Sequence, residues 1–325
     1  MPGFDALSPE AVLTAVETAF QCALQPLVTP FSSYVNRVYG LEAEDGTSYV
    51  AKFYRPERWS DVAIEEEHQF LQELHENDIP VVCPLADSDG ESLAEVDIET
   101  STGLHSHLFS LFPKRGGRLF DSEDDDSWRR IGALCGRLHS IGSKKKSSQR
   151  IVWTPELATS SHVKAILQEE ILPRDLQNQF EDMTQEALET IKPLFQGVPL
   201  LRVHGDLHRG NILDRGEEGL LLIDFDDMAQ GPAMQDLWLL LPGRRDETQR
   251  ETALIAEGYE DFRPFPWEEL SLMEPLRFMR MVHFIAWCAR QRKDQDFSRH
   301  FPDWGSRGWW IREIEDLSDQ KALFA

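Results

Sequence analysis

Two short loops hold the side chains best suited to chemistry. In the first, "HGDLHRGN", His204, Gly205, Asp206, Leu207, His208, Arg209, Gly210 and Asn211 follow the apolar run "LLRV". In the second, "DFDD", Asp224 to Asp227 follow an all Leu/Ile run at 220–223. Such a run reads as a buried strand. A carboxylate pinned at its end is a rigid metal ligand, whereas one in mid-strand needs a costly buried partner. Asp206 precedes Asn211 by five positions, with Gly205 and Gly210 permitting tight turns between them. Oxygen-only donors of this kind suit Mg²⁺, which keeps several waters and takes the rest of its shell from substrate phosphates. Phosphoryl transfer uses such a set, with one aspartate orienting the attacking hydroxyl while an asparagine and a second aspartate hold metal against the phosphates. The bland alternative is a pair of polar turns around buried strands, and the recurrence of the pattern within about 20 residues weighs against it. A zinc hydrolase would use His204 and His208, but they lack HExxH spacing and Asn211 is a poor zinc ligand.

Nucleotide phosphates also need a cation and a cover. Lys52 lies in "YVAKFY", where strand alternation points it away from the face of Ala51 and Phe53. A strand lysine held by a helix glutamate serves the α/β-phosphates, and "EEEHQFLQEL" supplies Glu65, Glu66 and Glu67. Glu67 is favoured, with Glu66 as the alternative, because Glu67 precedes the apolar pair Phe70 and Leu71 by three and four positions. An exposed lysine and a solvated helix face are the plain counter-reading. No GxGxxG precedes Lys52, so any phosphate cover comes from Ser32, Ser33 and Asn36 in "TPFSSYVNRVYGL".

These residues must be placed by a chain of 325 residues, 41% hydrophobic, which is long enough for one large domain or two lobes. With 33 Lys plus Arg against 57 Asp plus Glu, the formal charge is -24, which repels polyanions and argues against nucleic acid. Cys22, Cys83, Cys135 and Cys288 form no CxxC pair and read as reduced thiols. No secretory leader and no apolar run of about 18 residues is present, so a cytoplasmic protein with no membrane partner is expected.

The periodicity predicts an opening helix over 8–24, a hairpin around "EDGT", a helix over 61–78, and strands at "VVCPLA" and "HSHLFSLFP". That order fits a small β-rich lobe. "PKRGGRLF" and "DSEDDD" interrupt the pattern near 113–123, and beyond them helical spacing dominates. The expected division is an N-terminal nucleotide-binding lobe over 1–115 and a C-terminal catalytic and substrate lobe over 116–325, in an α+β fold. The aromatic segments "FMRMVHFIAW" and "FPDWGSRGWW" either line an acceptor pocket or pack the core, core being the simpler reading.

"HGDLHRGN" with "IDFDD" resembles the catalytic and metal-binding pair of the aminoglycoside phosphotransferase and choline kinase superfamily. The runs "VAKFYRPERWS", "EEHQFLQEL", "GRLHSIG", "GPAMQDLWLLL" and "EPLRFMRMVHFIAW" extend the likeness to about residues 20–320 and are similar to the bacterial stress response kinase A family. The resemblance implies a protein-kinase-like bilobal fold with ATP between the lobes. It also implies Mg²⁺-dependent transfer from ATP to serine or threonine of proteins, autophosphorylation included, by a monomer acting in a stress response. Asp206 is then the catalytic aspartate, Asn211 and Asp224 the metal ligands, Lys52 the phosphate-binding lysine with Glu67 its partner, and Ser33 a neighbour of the phosphates. His204 shapes the catalytic loop and Asp236 braces it. Transfer to a small alcohol such as an amino alcohol or sugar is the alternative acceptor chemistry, and a pseudokinase or metal-dependent hydrolase the contrasting class. Asp226 and Asp227 read as a solvated acidic turn, with a second Mg²⁺ or a basic stretch of substrate as alternatives. No long activation segment or APE follows "IDFDD", which argues against switching by activation-loop phosphorylation.

Overall fold

The computed structural model describes residues 4, 7–100, 103–121, 124–294 and 296–324. Ser122 and Glu123, inside the boundary placed at 113–123, lie outside the described residues. The chain forms two compact units, Met1–Phe120 with Gly210–Asp226 and Asp121–Arg209 with Asp227–Ala325.

The first unit is built on a five-stranded antiparallel sheet in the order Thr29–Pro30, Arg37–Glu42, Ser48–Phe53, Gly103–Pro113 and Ala94–Thr100. The expected hairpin joins its second and third strands, turning at Gly46 with φ +86°, a conformation glycine adopts without steric cost. Ala51, Phe53, Phe109 and Leu111 from one face pack with Val12 and Val16 of the helix Pro9–Phe20. That helix starts as expected, with the Ser8 hydroxyl accepting from Ala11 N. It stops short of residue 24 because Gln21 takes a left-handed conformation. The helix Asp61–Glu76 is capped by Ser60.

"VVCPLA" is not a strand, since only Val81 makes an isolated bridge, to Leu222. Pro80 and Pro84 lack the N–H groups a ladder needs. A small sheet of Arg118–Leu119, Ile212–Asp214 and Leu220–Leu222 completes the unit.

The second unit is mainly helical. Its helices include Asp125–Gly142, Arg174–Ile191, Met234–Leu240, Gln249–Tyr259, Met273–Gln291 and Arg307–Lys321, joined by a two-stranded ribbon of Leu201–Val203 and Ala229–Gly231. Asp125–Gly142 and Gln249–Tyr259 approach so closely that a Cβ on Gly258 would lie 1.9 Å from Arg129 O and one on Gly132 2.1 Å from Ile255 O. Of the aromatics with two possible roles, Trp310 is fully buried against Phe180, while Phe284 is 41% exposed. The N-terminal antiparallel sheet and helical C-terminal part make the α+β class expected from the sequence. Among the described residues no helix is long and apolar enough to cross a membrane.

Candidate active site

In the first unit Lys52 sits mid-strand, paired in register with Val38 and Ser110, and is 8% exposed. Its ammonium lies 3.3 Å from Asp224 Oδ1, 3.0 Å from Asp226 Oδ1 and 4.0 Å from Glu67 Oε1. Burial alone would lower the lysine's pKa, but Asp224 and Glu67 outweigh it and hold the group above its ordinary value. Glu67 is buried on the inward face of its helix, whereas Glu65 is exposed and Glu66 intermediate. That difference follows from helical spacing, because Glu67 shares the face of Phe70, Leu71 and Leu74.

Asp224 and Asn211 leave the same end of a strand pair. Ile212 faces Leu222 in register, and Ile223 N donates to Asn211 O at 3.0 Å, which sets Asp224 one residue beyond the last backbone bond. Asp224 has φ +62° and its side chain is 56% exposed, while Asn211 is 8% exposed. A non-glycine residue in the left-handed region costs of order 1 kcal/mol, and here it turns a carboxylate out at a strand end. One carboxylate and one amide oxygen are donors of the type Mg²⁺ takes when phosphates and water complete its shell, so the residues fit such an ion.

Asp226 corrects the solvated-turn expectation. It is 5% exposed, pairs with Lys52 and Arg58, and accepts from Asn36 Nδ2 at 3.1 Å. Burial is tolerated because two cations and an amide satisfy the carboxylate. Asp227, in the second unit, is intermediate in exposure.

Asn36 is itself buried, and its Oδ1 accepts from Arg55 N at 3.0 Å. Arg55 also donates to Val35 O at 2.7 Å and Tyr34 O at 2.5 Å. The loop containing Ser33, which is partly exposed, is thus held by an arginine where a glycine-rich loop would rely on backbone freedom. The run "KFYRPERW" therefore supplies three fixed cations: Lys52, Arg55 under the loop, and Arg58 on Asp226. Arg55 and Arg58 were missed as site-supporting residues. Their signal was two arginines three apart directly after the lysine strand.

Asp206 belongs to the second unit, just after the strand Leu201–Val203. Asp236 is fully buried and accepts from His204 N at 2.9 Å and Gly205 N at 2.8 Å, fixing the backbone immediately before Asp206. The brace extends through His139, whose Nε2 meets Asp236 Oδ2 at 3.0 Å and whose Nδ1 meets Tyr259 Oη at 3.0 Å. Gly205, with φ +85°, approaches the backbone so closely that a Cβ would lie 1.9 Å from Asp227 O. His204 is buried, and its Nδ1 accepts from Asp206 N at 3.3 Å. The Asp206 carboxylate is ion-paired with Arg280, and His208 Nε2 lies 3.6 Å from its other oxygen.

This geometry can be compared with known proteins. The model of the family described as "Phosphotransferase enzyme family" matches residues 27–272, which include Lys52, Asp206, Asn211 and Asp224. The chain belongs to this family. Stress response kinase A of Escherichia coli K12 is 34% identical over 324 residues, covering 98% of this chain and 93% of the relative. A Salmonella typhimurium LT2 protein named "Serine/threonine protein kinase RdoA" is 35% identical over 98% of this chain and 94% of its own. Among solved structures, amicoumacin kinase hAmiN in complex with AMP-PNP, Ca²⁺ and Ami superimposes with a TM-score of 0.74 at 19% identity, covering 97% and 94% of the two chains. A microcompartment-associated aminopropanol kinase gives 0.69 at 16%, covering 97% and 96%. This family member is accordingly an ATP-dependent kinase.

Proposed function

We propose that this phosphotransferase moves the γ-phosphoryl group of ATP, with Mg²⁺, to serine or threonine hydroxyls of proteins, itself included, in a bacterial stress response. The observation that carries the phosphate-binding half is Lys52, buried among Glu67, Asp224 and Asp226 at the edge of the loop with Ser33 and Asn36. Lys52 holds the α/β-phosphates, Glu67 keeps it in place, and Ser33 with its loop covers them. Asn211 and Asp224 hold the Mg²⁺, whose chemistry is to gather the phosphate oxygens and offset their charge. Asp206 orients the acceptor hydroxyl and takes its proton as the oxygen attacks phosphorus and ADP departs.

The protein acceptor is supported by the relatives named as stress response and serine/threonine kinases, which are 34–35% identical over nearly the whole chain. The fold neighbours named for small-molecule substrates are below 20% identity and inform the fold alone. The four unpaired cysteines support a reducing compartment, and we place the protein in the cytoplasm as a monomer.

Incubation with γ-labelled ATP and Mg²⁺, with and without a generic protein substrate and beside Asp206→Asn, tests the reading. Label on protein serine or threonine, absent from the variant, is expected. Label that reaches only amino alcohols or sugars would replace the protein acceptor by a small one.

A further inference from the structure

The ion pair between Arg280 and Asp206 lies wholly within the second unit. Arg280 sits mid-way along the helix Met273–Gln291 and its side chain is 32% exposed, so the guanidinium keeps a solvent-facing side. From Pro275 to Gln291 this helix carries Arg277, Arg280 and Arg290 and no carboxylate. Arg277 is committed elsewhere, to Gly243 O at 3.0 Å and over the Trp238 ring at 4.7 Å.

One turn beyond Arg280, His283 Nδ1 meets His162 Nε2 at 2.9 Å. Burial pushes His283 down to about 3 and His162 down to about 4, so at neutral pH this pair adds no charge. Phe284 follows, stacked on Trp287, with Phe301 edge-on to both rings. Beside the hydroxyl-accepting carboxylate this helix therefore places the Arg280 guanidinium, neutral imidazoles and aromatic rings, with Arg290 exposed near its C-terminal end. Asp227 is close enough to act on His283, but the group in contact with Asp206 is the cationic Arg280, and like charges brought together cost several kcal/mol. Here a cationic group nearing Asp206 meets Arg280, whereas a carboxylate or phosphate meets a planar donor that can bind it through two hydrogen bonds. The net charge of -24 does not oppose this contact, because salt screens exposed charges beyond about 8 Å.

We infer that Arg280 is a specificity-determining residue: the preferred acceptor is a serine or threonine hydroxyl flanked by an anionic side chain, which draws the guanidinium from Asp206 and leaves that carboxylate to receive the hydroxyl hydrogen. The inference rests on the protein-kinase reading above and names the acceptor that reading leaves open. In the step itself the hydroxyl oxygen forms a bond to the γ-phosphorus, the bond to the β-phosphate oxygen breaks, ADP leaves, and the hydroxyl proton passes to Asp206.

The test uses the full chain and two serine peptides identical except that the serine is flanked by aspartates in one and by arginines in the other. With ATP and Mg²⁺, kcat/KM should favour the aspartate peptide by about tenfold or more, Arg280→Glu should reverse the order, and Arg280→Lys should keep it with a smaller ratio. AMP-PNP binding by each variant reports folding, and Arg280→Gln, expected to abolish the preference, replaces the glutamate variant if that one fails to bind. A wild-type preference for the arginine peptide overturns the inference, and so does a ratio unchanged in nucleotide-binding Arg280 variants. Both would leave the kinase reading standing. Phosphorylation of neither peptide, nor of any other protein, would remove the protein-kinase reading and this inference with it.

Discussion

Replacing Asp226 by alanine takes away the carboxylate that Lys52, Arg58 and Asn36 share. Removing one partner of a buried ionic group strands the others in low dielectric, and the expected loss is about 3 kcal/mol, read by urea unfolding. Asp226→Asn, which keeps an acceptor oxygen, should lose less. Unchanged stability in both would show the cluster to be water-accessible and weak. Asp226 also marks where local sequence stopped informing. The sequence singles out Lys52 by strand alternation, Glu67 by its place on the apolar face, Asp224 by its position after the run 220–223, and Asn211 by its spacing from Asp206 in the glycine-flanked loop. Nothing near Asp226 indicates burial, because the partner that shares its carboxylate, Asn36, is 190 positions away. The "DFDD" run looks like any solvated acidic turn until distant cations are placed against it.

The helices and strands differ in how openly they announce themselves. Pro9–Phe20 and Asp61–Glu76 carry serine caps followed by apolar spacing, and both were read from sequence. The strand Ala94–Thr100 was missed because "AEVDIET" is acidic at alternate positions, the pattern of an edge strand kept from pairing further. The helix Met234–Leu240 was too short to show a period, yet it carries Asp236, which fixes the catalytic loop. Its start is held by Glu269, whose Oε2 accepts from Met234 N at 3.0 Å. Burial raises the Glu269 carboxyl from 4.5 to about 7. The folded protein therefore keeps this proton over a range in which the unfolded chain has lost it. The stabilisation is whole below pH 4.5 and disappears as pH rises to about 7 and beyond. Glu269→Gln retains an acceptor oxygen without the titration, so its stability relative to the natural chain should rise by about 1–3 kcal/mol between pH 4.5 and 8. Unfolding at those two pH values checks this, and a constant difference would contradict it.

Considered as a whole, the molecule is two compact units between which the chain passes at 120/121, 209/210 and 226/227. The metal-binding candidates Asn211 and Asp224 belong to the sheet-bearing unit, and Asp206 to the helical one. Each unit fixes its own groups by its own means: strand ends and an arginine-held loop in the first, and the Asp236–His139–Tyr259 brace in the second. Composition could reveal the acidic charge and the size, but not this interleaving, because it depends on pairings between segments far apart in the chain. The division of labour has a direct test in nucleotide affinity, measured by titrating AMP-PNP with Mg²⁺ into the natural chain, Asp206→Asn and Asp224→Ala. Asp206→Asn should bind within about threefold of the natural chain while transfer is lost, and Asp224→Ala should bind at least about tenfold more weakly. Equal weakening of binding in both variants would contradict the assignment of Asp206 to the hydroxyl and Asp224 to the metal.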